Sequence, residues 1–265
     1  MYKFEYHRPK NLAEAEALLA GCESPKILAG GMTLLATMKQ RLAAPTDLID
    51  LQDIVELRGV TADASQVTIG AMTPHHTVAT SPEVTGAIPA LASLAGQIGD
   101  PLVRHRGTIG GSIANNDPSA DYPAACLGLG AKIVTSKREI TADDYFRGMF
   151  ETALEENEII TRIIFPVPQT AAYQKFPNPA SRYAMVGVFA AKTSDGVRVA
   201  VTGAGPGVFR AKEIEAALAR DFSASIIDSV TVPSEEMLQD MHGSSEYRAA
   251  LVKVMAKRAV SAIQG

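Results

Sequence analysis

Two short glycine-centred segments, far apart in the chain, constrain this sequence more than any other feature. The first covers residues 29–35 (AGGMTLL) and the second covers residues 106–112 (RGTIGGS). Each follows an apolar stretch typical of a buried strand or a packed turn. Paired glycines let the backbone turn tightly and approach a ligand closely, and successive free N–H groups suit a phosphate. Two such segments predict a site for both phosphates of one dinucleotide, and so a flavin or nicotinamide protein.

Neither segment alone is a phosphate-binding fingerprint, because the patterns G-x-G-x-x-G and G-x-x-x-x-G-K-[ST] do not occur in the sequence. A bare Gly-Gly pair is more common in a tight turn or a helix cap than at a ligand site. If the second segment does bind a phosphate, a branched side chain at Gly110 would block its approach. We therefore expect Gly110→Val to abolish cofactor binding and to leave much of the fold intact.

Composition excludes several classes of protein. The 265 residues include 46% hydrophobic and 20% charged residues, enough to bury a core in two or three compact units. The net charge of −4 gives no basic surface for nucleic acid or an anionic membrane. No apolar run could span a bilayer, and the first residues lack the apolar core of a signal peptide. Two cysteines are too few for an iron–sulfur cluster, and they fit a cytoplasmic protein.

Hydrophobic periodicity predicts alternating strands and helices up to residue 166. Asn11 and Glu14 form a capping-box pattern before a helix that Gly21 ends, and Thr33 is the expected N-cap of the next helix. A further helix is expected to start at Thr73, with proline at its first position. Strands are predicted at 26–29, 47–51, 60–62, 66–70, 132–136, 138–141 and 158–165. Helices are predicted at 34–41, 88–98 and 123–129, and residues 107–111 are expected to be a loop.

A proline-containing stretch at 166–179 is the predicted boundary of the carboxy-terminal part of the chain. Beyond it, strands are expected at 183–192 and 196–202, on either side of an Asp195-Gly196 turn. Helices are predicted at 211–220, 224–230 and 246–263, the last with apolar residues at helical spacing.

Few side chains offer chemistry of their own. His75 and His76 are adjacent, so they point in different directions on a helix and are expected to be a surface or capping pair rather than metal ligands. The basic run 104–106 could steer an anionic ligand or form a solvated turn. Asn115, Asn116, Asp117 and Asp121 could contact ribose or ribityl hydroxyls, or form turns and a cap. The lack of a visible acid–base set favours a borrowed cofactor.

The motifs and their order resemble the FAD-binding medium subunit of the CO dehydrogenase and xanthine dehydrogenase family. The first glycine segment resembles the family pattern A-G-G-x-[ST]-L-L, and residues 104–112 resemble R-x-x-G-T-I-G-G-[NS]. Residues 116–125 (NDPSADYPAA) are similar to its D-P-x-A-D-L-P-A-A run, and residues 173–176 (YQKF) to its Y-x-K-[FV] strand. Residues 203–218 and 245–248 are similar to its carboxy-terminal domain, so the resemblance covers the whole chain.

This resemblance implies an α+β protein with a vanillyl-alcohol-oxidase-like (PCMH-type) FAD-binding fold. Its two α/β FAD-binding subdomains would cover residues 1–57 and 58–168. A small α/β domain like that of CO dehydrogenase flavoproteins would cover residues 169–265. The residues implied at the cofactor are Leu28, Ala29, Gly30, Gly31, Met32, Thr33, Leu34, Ile98, Thr108, Ile109, Gly110, Gly111, Ser112, Asp121, Ile160, Lys175 and Tyr183.

The resemblance also implies a role for each group of these residues. Both glycine segments would bind the FAD pyrophosphate, and Asp121 would contact FAD hydroxyls. Ile98 and Ile160 would lie near the isoalloxazine, with Lys175 as a basic residue at the cofactor and Tyr183 as an aromatic beside the flavin. Met32 departs from the family, which has histidine, asparagine or threonine there, although its backbone N–H can still serve. Tyr122 replaces a leucine.

In such complexes the flavin subunit does not oxidise the organic substrate. The resemblance therefore implies an electron-transfer subunit that accepts electrons from the iron–sulfur clusters of a small partner subunit. A large partner subunit would hold the molybdenum cofactor, and NAD, oxygen or a quinone would be the final acceptor. One alternative is a stand-alone FAD oxidase or reductase of the same wider fold, which would need its own base and substrate cavity. Another is a non-catalytic scaffold that has lost its flavin.

Overall fold

The amino-terminal part of the chain forms a three-stranded parallel sheet with two helices. The computed structural model describes residues 1–264. The strands have the spatial order β1-β3-β2. The elements are β1 (Glu5–His7), α1 (Leu12–Gly21), β2 (Pro25–Leu28), α2 (Leu34–Lys39) and β3 (Asp47–Asp50).

The predicted N-cap at the start of α1 is confirmed. The Asn11 side chain accepts a 2.9 Å hydrogen bond from the Glu14 amide, which a helix start otherwise leaves unpaired. The returning hydrogen bond differs from that of a capping box, because the Glu14 carboxylate accepts it from the Lys10 amide, at 2.7 Å, and not from Asn11.

The middle of the chain forms a five-stranded antiparallel sheet with helices inserted between its strands. Its strand order is β4-β5-β10-β6-β7. The strands are β4 (Val60–Ala62), β5 (Gln66–Gly70), β6 (Lys132–Thr135), β7 (Glu139–Thr141) and β10 (Ile160–Pro166), with a separate hairpin of β8 (Phe146–Gly148) and β9 (Glu151–Thr152). The helices are α3 (His75–Thr80), α4 (Pro82–Ala87), α5 (Pro89–Gly96), α6 (Pro101–Arg106), α7 (Ile109–Asn115), α8 (Tyr122–Leu129) and α9 (Ala142–Tyr145).

The carboxy-terminal part packs helices on a four-stranded antiparallel sheet of order β11-β12-β13-β14. Its elements are β11 (Thr170–Pro177), β12 (Ala184–Thr193), β13 (Gly196–Thr202), β14 (Phe209–Arg210), α10 (Lys212–Arg220) and α11 (Ser245–Gln264), with a 3-10 helix at Ala224–Ser229. Within residues 1–264, no helix is long and apolar enough to cross a membrane.

Helix α8 joins the middle and carboxy-terminal parts, because all eight of its residues are buried. A Cβ at Gly128 would lie 2.7 Å from a ring carbon of Phe189 on β12, so the missing side chain permits a close approach. Tyr173 and Phe189 belong to the same buried cluster as the apolar residues of the middle sheet. The carboxy-terminal sheet therefore packs against the same hydrophobic core as the middle sheet.

Three local predictions need correction. Residues 109–115 form α7 instead of extending a loop, because the Thr108 side chain caps the helix start. Thr73 is not an N-cap, since its hydroxyl exchanges hydrogen bonds of 3.0 and 3.1 Å with the backbone of Gly59 while Pro74 occupies the cap. The segment predicted as a helix at 224–230 is a 3-10 helix over Ala224–Ser229 instead of an α-helix.

Candidate functional site

A cleft of about 1000 Å³ brings both glycine segments together. This volume is at the upper end of the range for small-molecule sites. Fourteen of the seventeen residues implied at the cofactor line it. They are Ala29, Gly30, Gly31, Met32, Thr33, Leu34, Ile98, Thr108, Gly110, Gly111, Ser112, Asp121, Ile160 and Tyr183. The other three, Leu28, Ile109 and Lys175, do not line the cleft.

The first glycine segment supplies unpaired backbone donors. Strand β2 ends at Leu28 and helix α2 starts at Leu34, and the chain turns between them at Gly31, which has a φ of +76°. Within the described residues, the amides of residues 30–34 donate no hydrogen bond to another protein atom. A left-handed residue in such a turn arranges successive N–H groups as an anion-binding concavity. The segment therefore has five amides without a described protein partner, on residues that line the cleft.

The second glycine segment is different, because the amides of residues 109–112 are already paired within the protein. The hydrogen bonds are Ile109 N–H to Thr73 O (3.1 Å), Gly110 N–H to Ala71 O (2.8 Å), Gly111 N–H to Thr108 Oγ1 (3.1 Å) and Ser112 N–H to Thr108 O (3.0 Å). The expectation of free N–H groups is therefore wrong for residues 109–112, whereas the Thr108 amide donates no hydrogen bond to another described protein atom. Ser112 and the glycine at 111 still form part of the wall of the cleft.

The glycines permit contacts between backbones. A Cβ at Gly30 would lie 2.1 Å from the carbonyl oxygen of Arg106, so the two segments touch at this point. A Cβ at Gly110 would lie 2.6 Å from the Ala71 Cβ and 2.7 Å from its carbonyl oxygen. Gly110 thus packs against the end of β5, and the steric reason given above for Gly110→Val needs correction. The substitution would collide with protein backbone.

Apolar side chains form another part of the cleft wall. Ile98 follows α5, and Ile160 begins β10 and is 6% exposed. Tyr183 lies at the rim in the connection between β11 and β12 and remains 46% exposed. Burial raises the pKa of its hydroxyl, and the charges of Asp117 and Asp121 raise it further. The tyrosine therefore presents a neutral aromatic side chain to the cleft and to the outside.

Asp121 and Lys175 are bound to each other. The Lys175 ammonium lies 2.9 Å from Asp121 Oδ1, and the two side chains are 2% and 5% exposed. The Tyr173 hydroxyl donates a 2.6 Å hydrogen bond to the same carboxylate. Burial raises the pKa of Asp121, against the opposing effects of Lys175 and Tyr173. The cluster ties β11 to the start of α8, and only Asp121 of the pair borders the cleft.

His75, which was expected to belong to a surface or capping pair, lines the cleft. It is 5% exposed, and its Nδ1 has no hydrogen-bond partner within the described residues. Burial and the Arg104 charge lower the pKa of His75 to about 4, so the ring is neutral at physiological pH. A Cβ at Gly107 would lie 2.5 Å from its Nε2. Its neighbour His76 is stacked on His105 with ring centroids 4.1 Å apart.

The residues expected to contact hydroxyls divide into two groups. Asn115, Asp117 and Asp121 line the cleft. Asn116 adopts the left-handed conformation at the end of α7, and its amide donates to the carbonyl oxygens of Gly148 and Glu151. Of the two roles that the sequence left open for Asn116, contact with hydroxyls or a turn and cap, the structure shows the second. None of the three basic residues at 104–106 lines the cleft.

Glu158 is a second cleft residue that the sequence analysis missed. Burial opposes its ionisation, but Arg138, the Thr135 hydroxyl and the Glu155 amide together lower its pKa to about 2. Two of these contacts measure 3.0 Å to Arg138 Nε and 2.6 Å to Thr135 Oγ1. The carboxylate is fully paired, so it is a structural anion and a poor general base.

Comparisons with known proteins give the same assignment for both parts of the chain. Residues 2–168 match the family described as the FAD binding domain in molybdopterin dehydrogenase. Residues 171–263 match the CO dehydrogenase flavoprotein C-terminal domain.

Relatives of known identity extend over the full length. The chain is 36% identical to the carbon monoxide dehydrogenase medium chain of Hydrogenophaga pseudoflava, covering 98% of this chain and 96% of that one. It is 34% identical to the nicotine 6-hydroxylase medium subunit of Paenarthrobacter nicotinovorans, with 96% and 95% covered.

Solved structures of related enzymes have the same fold as this chain. The structure of carbon monoxide dehydrogenase from Hydrogenophaga pseudoflava that lacks the Mo-pyranopterin moiety superposes with a TM-score of 0.91 at 38% identity, covering 99% of this chain and 97% of that one. Quinoline 2-oxidoreductase from Pseudomonas putida 86 gives 0.89 at 28% identity, with 98% and 96% covered. The chain therefore belongs to the family of FAD-binding medium subunits of molybdenum hydroxylases, which are oxidoreductase complexes.

Proposed function

We propose that this chain is the electron-transfer subunit of a molybdenum hydroxylase. It would carry electrons from iron–sulfur clusters in a small partner subunit to an external acceptor, while a large molybdenum subunit oxidises the substrate. Two relatives are named as a medium chain and a medium subunit, which supports this division of roles among three subunits. The two cysteines support it too, because four thiolates are the usual ligands of one cluster. Both cysteines are free thiols, which supports a reducing compartment such as the cytoplasm.

The observation that carries the proposal is the group of unpaired amides at residues 30–34. Unpaired N–H groups around a glycine turn are suited to phosphate oxygens, and the missing Cβ atoms leave room for a close approach. We infer that these amides hold the FAD pyrophosphate, with Thr33, Thr108 and Ser112 as neighbouring hydroxyls. The Gly110 and Gly111 backbone would form the opposite wall. Ala29 and Leu34 would border the same phosphates, and Met32 would contribute through its N–H.

Apolar residues are suited to the isoalloxazine. We infer that Ile98 and Ile160 pack against the ring and that Tyr183 covers its accessible edge. Asp121, held by Lys175 and Tyr173, would accept hydrogen bonds from cofactor hydroxyls with its remaining lone pairs. In this arrangement Lys175 acts on the cofactor through Asp121, whereas Leu28 and Ile109 support the two segments from the core.

When bound, FAD would accept electrons one at a time from one partner and deliver them in pairs to another. The protein residues bind and orient it and exclude water from one side. We propose no proton transfer by the chain, because the buried carboxylate of Glu158 is paired and the pKa of His75, lowered to about 4, makes its ring a weak base.

We also propose that the chain consists of three units at residues 1–57, 58–168 and 169–265. The three main sheets support this division, since their strands lie within residues 5–50, 60–166 and 170–210. Gly265 lies outside the described residues. The cleft residues come from all three units, so cofactor binding would couple them.

The electron-transfer proposal is tested by anaerobic mixing. The coexpressed iron–sulfur subunit is reduced chemically, freed of excess reductant and mixed with the FAD-loaded chain. We expect the oxidised flavin absorbance to disappear as the cluster absorbance of the oxidised form returns. If the two proteins form a complex but the flavin stays oxidised, the proposed route is wrong.

A further inference from the structure

Three potential metal ligands from distant parts of the sequence meet at the amino-terminal sheet. His7 ends β1, Asp47 begins β3 and Cys22 follows the last residue of α1. One ligand atom from each lies within 4.8 Å of the other two. This is the only such group of three or more histidine, cysteine or acidic residues within residues 1–264. All three residues are half-buried, so an ion can reach them from solvent.

The donor set is one nitrogen, one sulfur and one oxygen. Zinc accepts all three, with bonds of about 2.0–2.3 Å in a tetrahedral arrangement. Hard cations such as Mg²⁺ and Ca²⁺ prefer oxygen ligands alone. We propose that His7 Nε2, Cys22 Sγ and a carboxylate oxygen of Asp47 bind a Zn²⁺ ion, with water as the fourth ligand.

The ligand atoms are already close to the required spacing. Tetrahedral ligands of zinc lie roughly 3.3–3.7 Å apart, given its bond lengths. His7 Nε2 and Asp47 Oδ1 now share a hydrogen bond of 2.7 Å, so they must separate by less than about 1 Å. Strands β1 and β3 are paired in one sheet, so we expect rotation of the two side chains to supply this movement.

The carboxylate is held in place by groups behind it. The Thr46 hydroxyl donates a 2.6 Å hydrogen bond to Asp47 Oδ2, and the same hydroxyl accepts one of 3.0 Å from the Ser24 amide. Such outer contacts orient the ligands in protein metal sites. They leave Asp47 Oδ1 directed to His7, where the ion would sit.

Charge and proton balance are satisfied. The aspartate carboxylate and a cysteine thiolate together carry two negative charges, which neutralise Zn²⁺. On binding, the Cys22 S–H bond breaks, an S–Zn bond forms and one proton passes to solvent. His7 would bind the ion through the Nε2 lone pair, and any proton on Nε2 would leave that atom. Coordination would tie the end of α1 to the edge strand β1.

This site is separate from the cofactor cleft, because His7, Cys22 and Asp47 are absent from the residues that line it. The inference therefore does not depend on the proposed function. It is tested on the full chain after treatment with a chelator and desalting. Co²⁺ serves as the optical probe, since thiolate coordination gives a charge-transfer band, and Zn²⁺ is then added to displace it.

We expect one Co²⁺ per chain, a thiolate band that Zn²⁺ abolishes, and protection of one thiol from a thiol reagent. Cys22→Ser should remove the band, and His7→Gln should weaken binding of Zn²⁺ at least tenfold. Cys126→Ala and His242→Gln are the matched controls and should bind like the wild type, because Cys126 is in the core and His242 is exposed. Unchanged circular dichroism shows that each variant is folded.

Two results would overturn the site. One is a folded wild-type chain that shows no thiolate band and retains no Zn²⁺ after desalting. The other is equal Zn²⁺ affinity in the wild type, Cys22→Ser and His7→Gln, which would indicate adventitious surface binding.

Discussion

Gly30 lies directly against the backbone of Arg106, where a Cβ would come within 2.1 Å of the carbonyl oxygen. The contact fixes the distance between the first glycine segment and the end of α6. Because neither backbone can move without moving the cleft wall, this glycine links the fold to the proposed cofactor site.

We expect Gly30→Ala to weaken FAD binding at least tenfold, since its methyl group must push the two segments apart. The measurement is the FAD dissociation constant from flavin fluorescence on the deflavinated protein. Gly86→Ala is the matched control, because a Cβ there meets nothing within 4 Å. Equal FAD affinity in Gly30→Ala and the wild type would contradict the assignment.

Gly110→Val should destabilise the fold itself. Its side chain would collide with Ala71, and overpacking of this kind costs about 1–3 kcal/mol or more. Urea unfolding of the flavin-free protein measures the effect. Gly21→Val is the control, because no atom lies within 4 Å of a Cβ at that position. A different result would favour the earlier explanation, in which the valine side chain blocks the phosphate. In that case Gly110→Val would keep the unfolding free energy of the flavin-free wild type and lose only FAD binding.

Lys175→Met should cost about 3–5 kcal/mol of unfolding free energy, because it leaves a buried carboxylate without its partner. Asp121→Asn alone should also destabilise the protein. The double variant should lose less than the sum of the two single variants, since it leaves no unpaired charge. Additive losses would show that the 2.9 Å contact contributes no coupling.

Flavin-free protein should lose stability on acidification through His75. The ordinary pKa of 6.5 applies in the unfolded chain, and burial lowers it to about 4 in the native state. The unfolded state therefore takes up the proton first, and stability present above pH 6.5 is lost as the pH falls towards 4. The loss from this group is roughly 3 kcal/mol at about 1.4 kcal/mol per pH unit.

His75→Gln should remove this part of the pH dependence. The comparison is the unfolding free energy of wild type and variant at a series of pH values between neutral and acidic. His242→Gln provides the control, because His242 is exposed. Parallel curves for wild type and His75→Gln would show that the His75 ring is not kept neutral by its surroundings.

The local signals in the sequence predicted most of the elements. The Asn11–Glu14 pair marked the start of α1, and the alternating residues after Glu158 marked β10. Helix α7 was missed because glycines at 110 and 111 are unfavourable in helices. The Thr108 cap and two hydrogen bonds to residues 71 and 73 offset that preference. These partners are distant in sequence, so local patterns do not reveal them.

The candidate site was likewise predicted only in part. The motifs identified the residues of the cleft, but not how their polar groups are used. Asp121 binds Tyr173 and Lys175, which are 52 and 54 residues away in the chain. Burial of His75 depends on Gly107 and Tyr122, which pack around its ring. Gly107, which precedes Thr108, could have suggested that another group packs closely against the backbone at that position. No sequence pattern shows that this group is His75 and not its neighbour His76.

The most direct test of the electron-transfer account is purification of the tagged chain after coexpression with the proposed iron–sulfur and molybdenum partner subunits. Size-exclusion chromatography with cofactor analysis gives the composition, and activity is compared between the complex and the isolated chain. The account predicts one complex that contains FAD, iron–sulfur clusters and molybdenum, and an isolated flavin-loaded chain that does not oxidise aldehydes or purines. A chain that never comigrates with these subunits, yet oxidises such substrates by itself without metal, would contradict it.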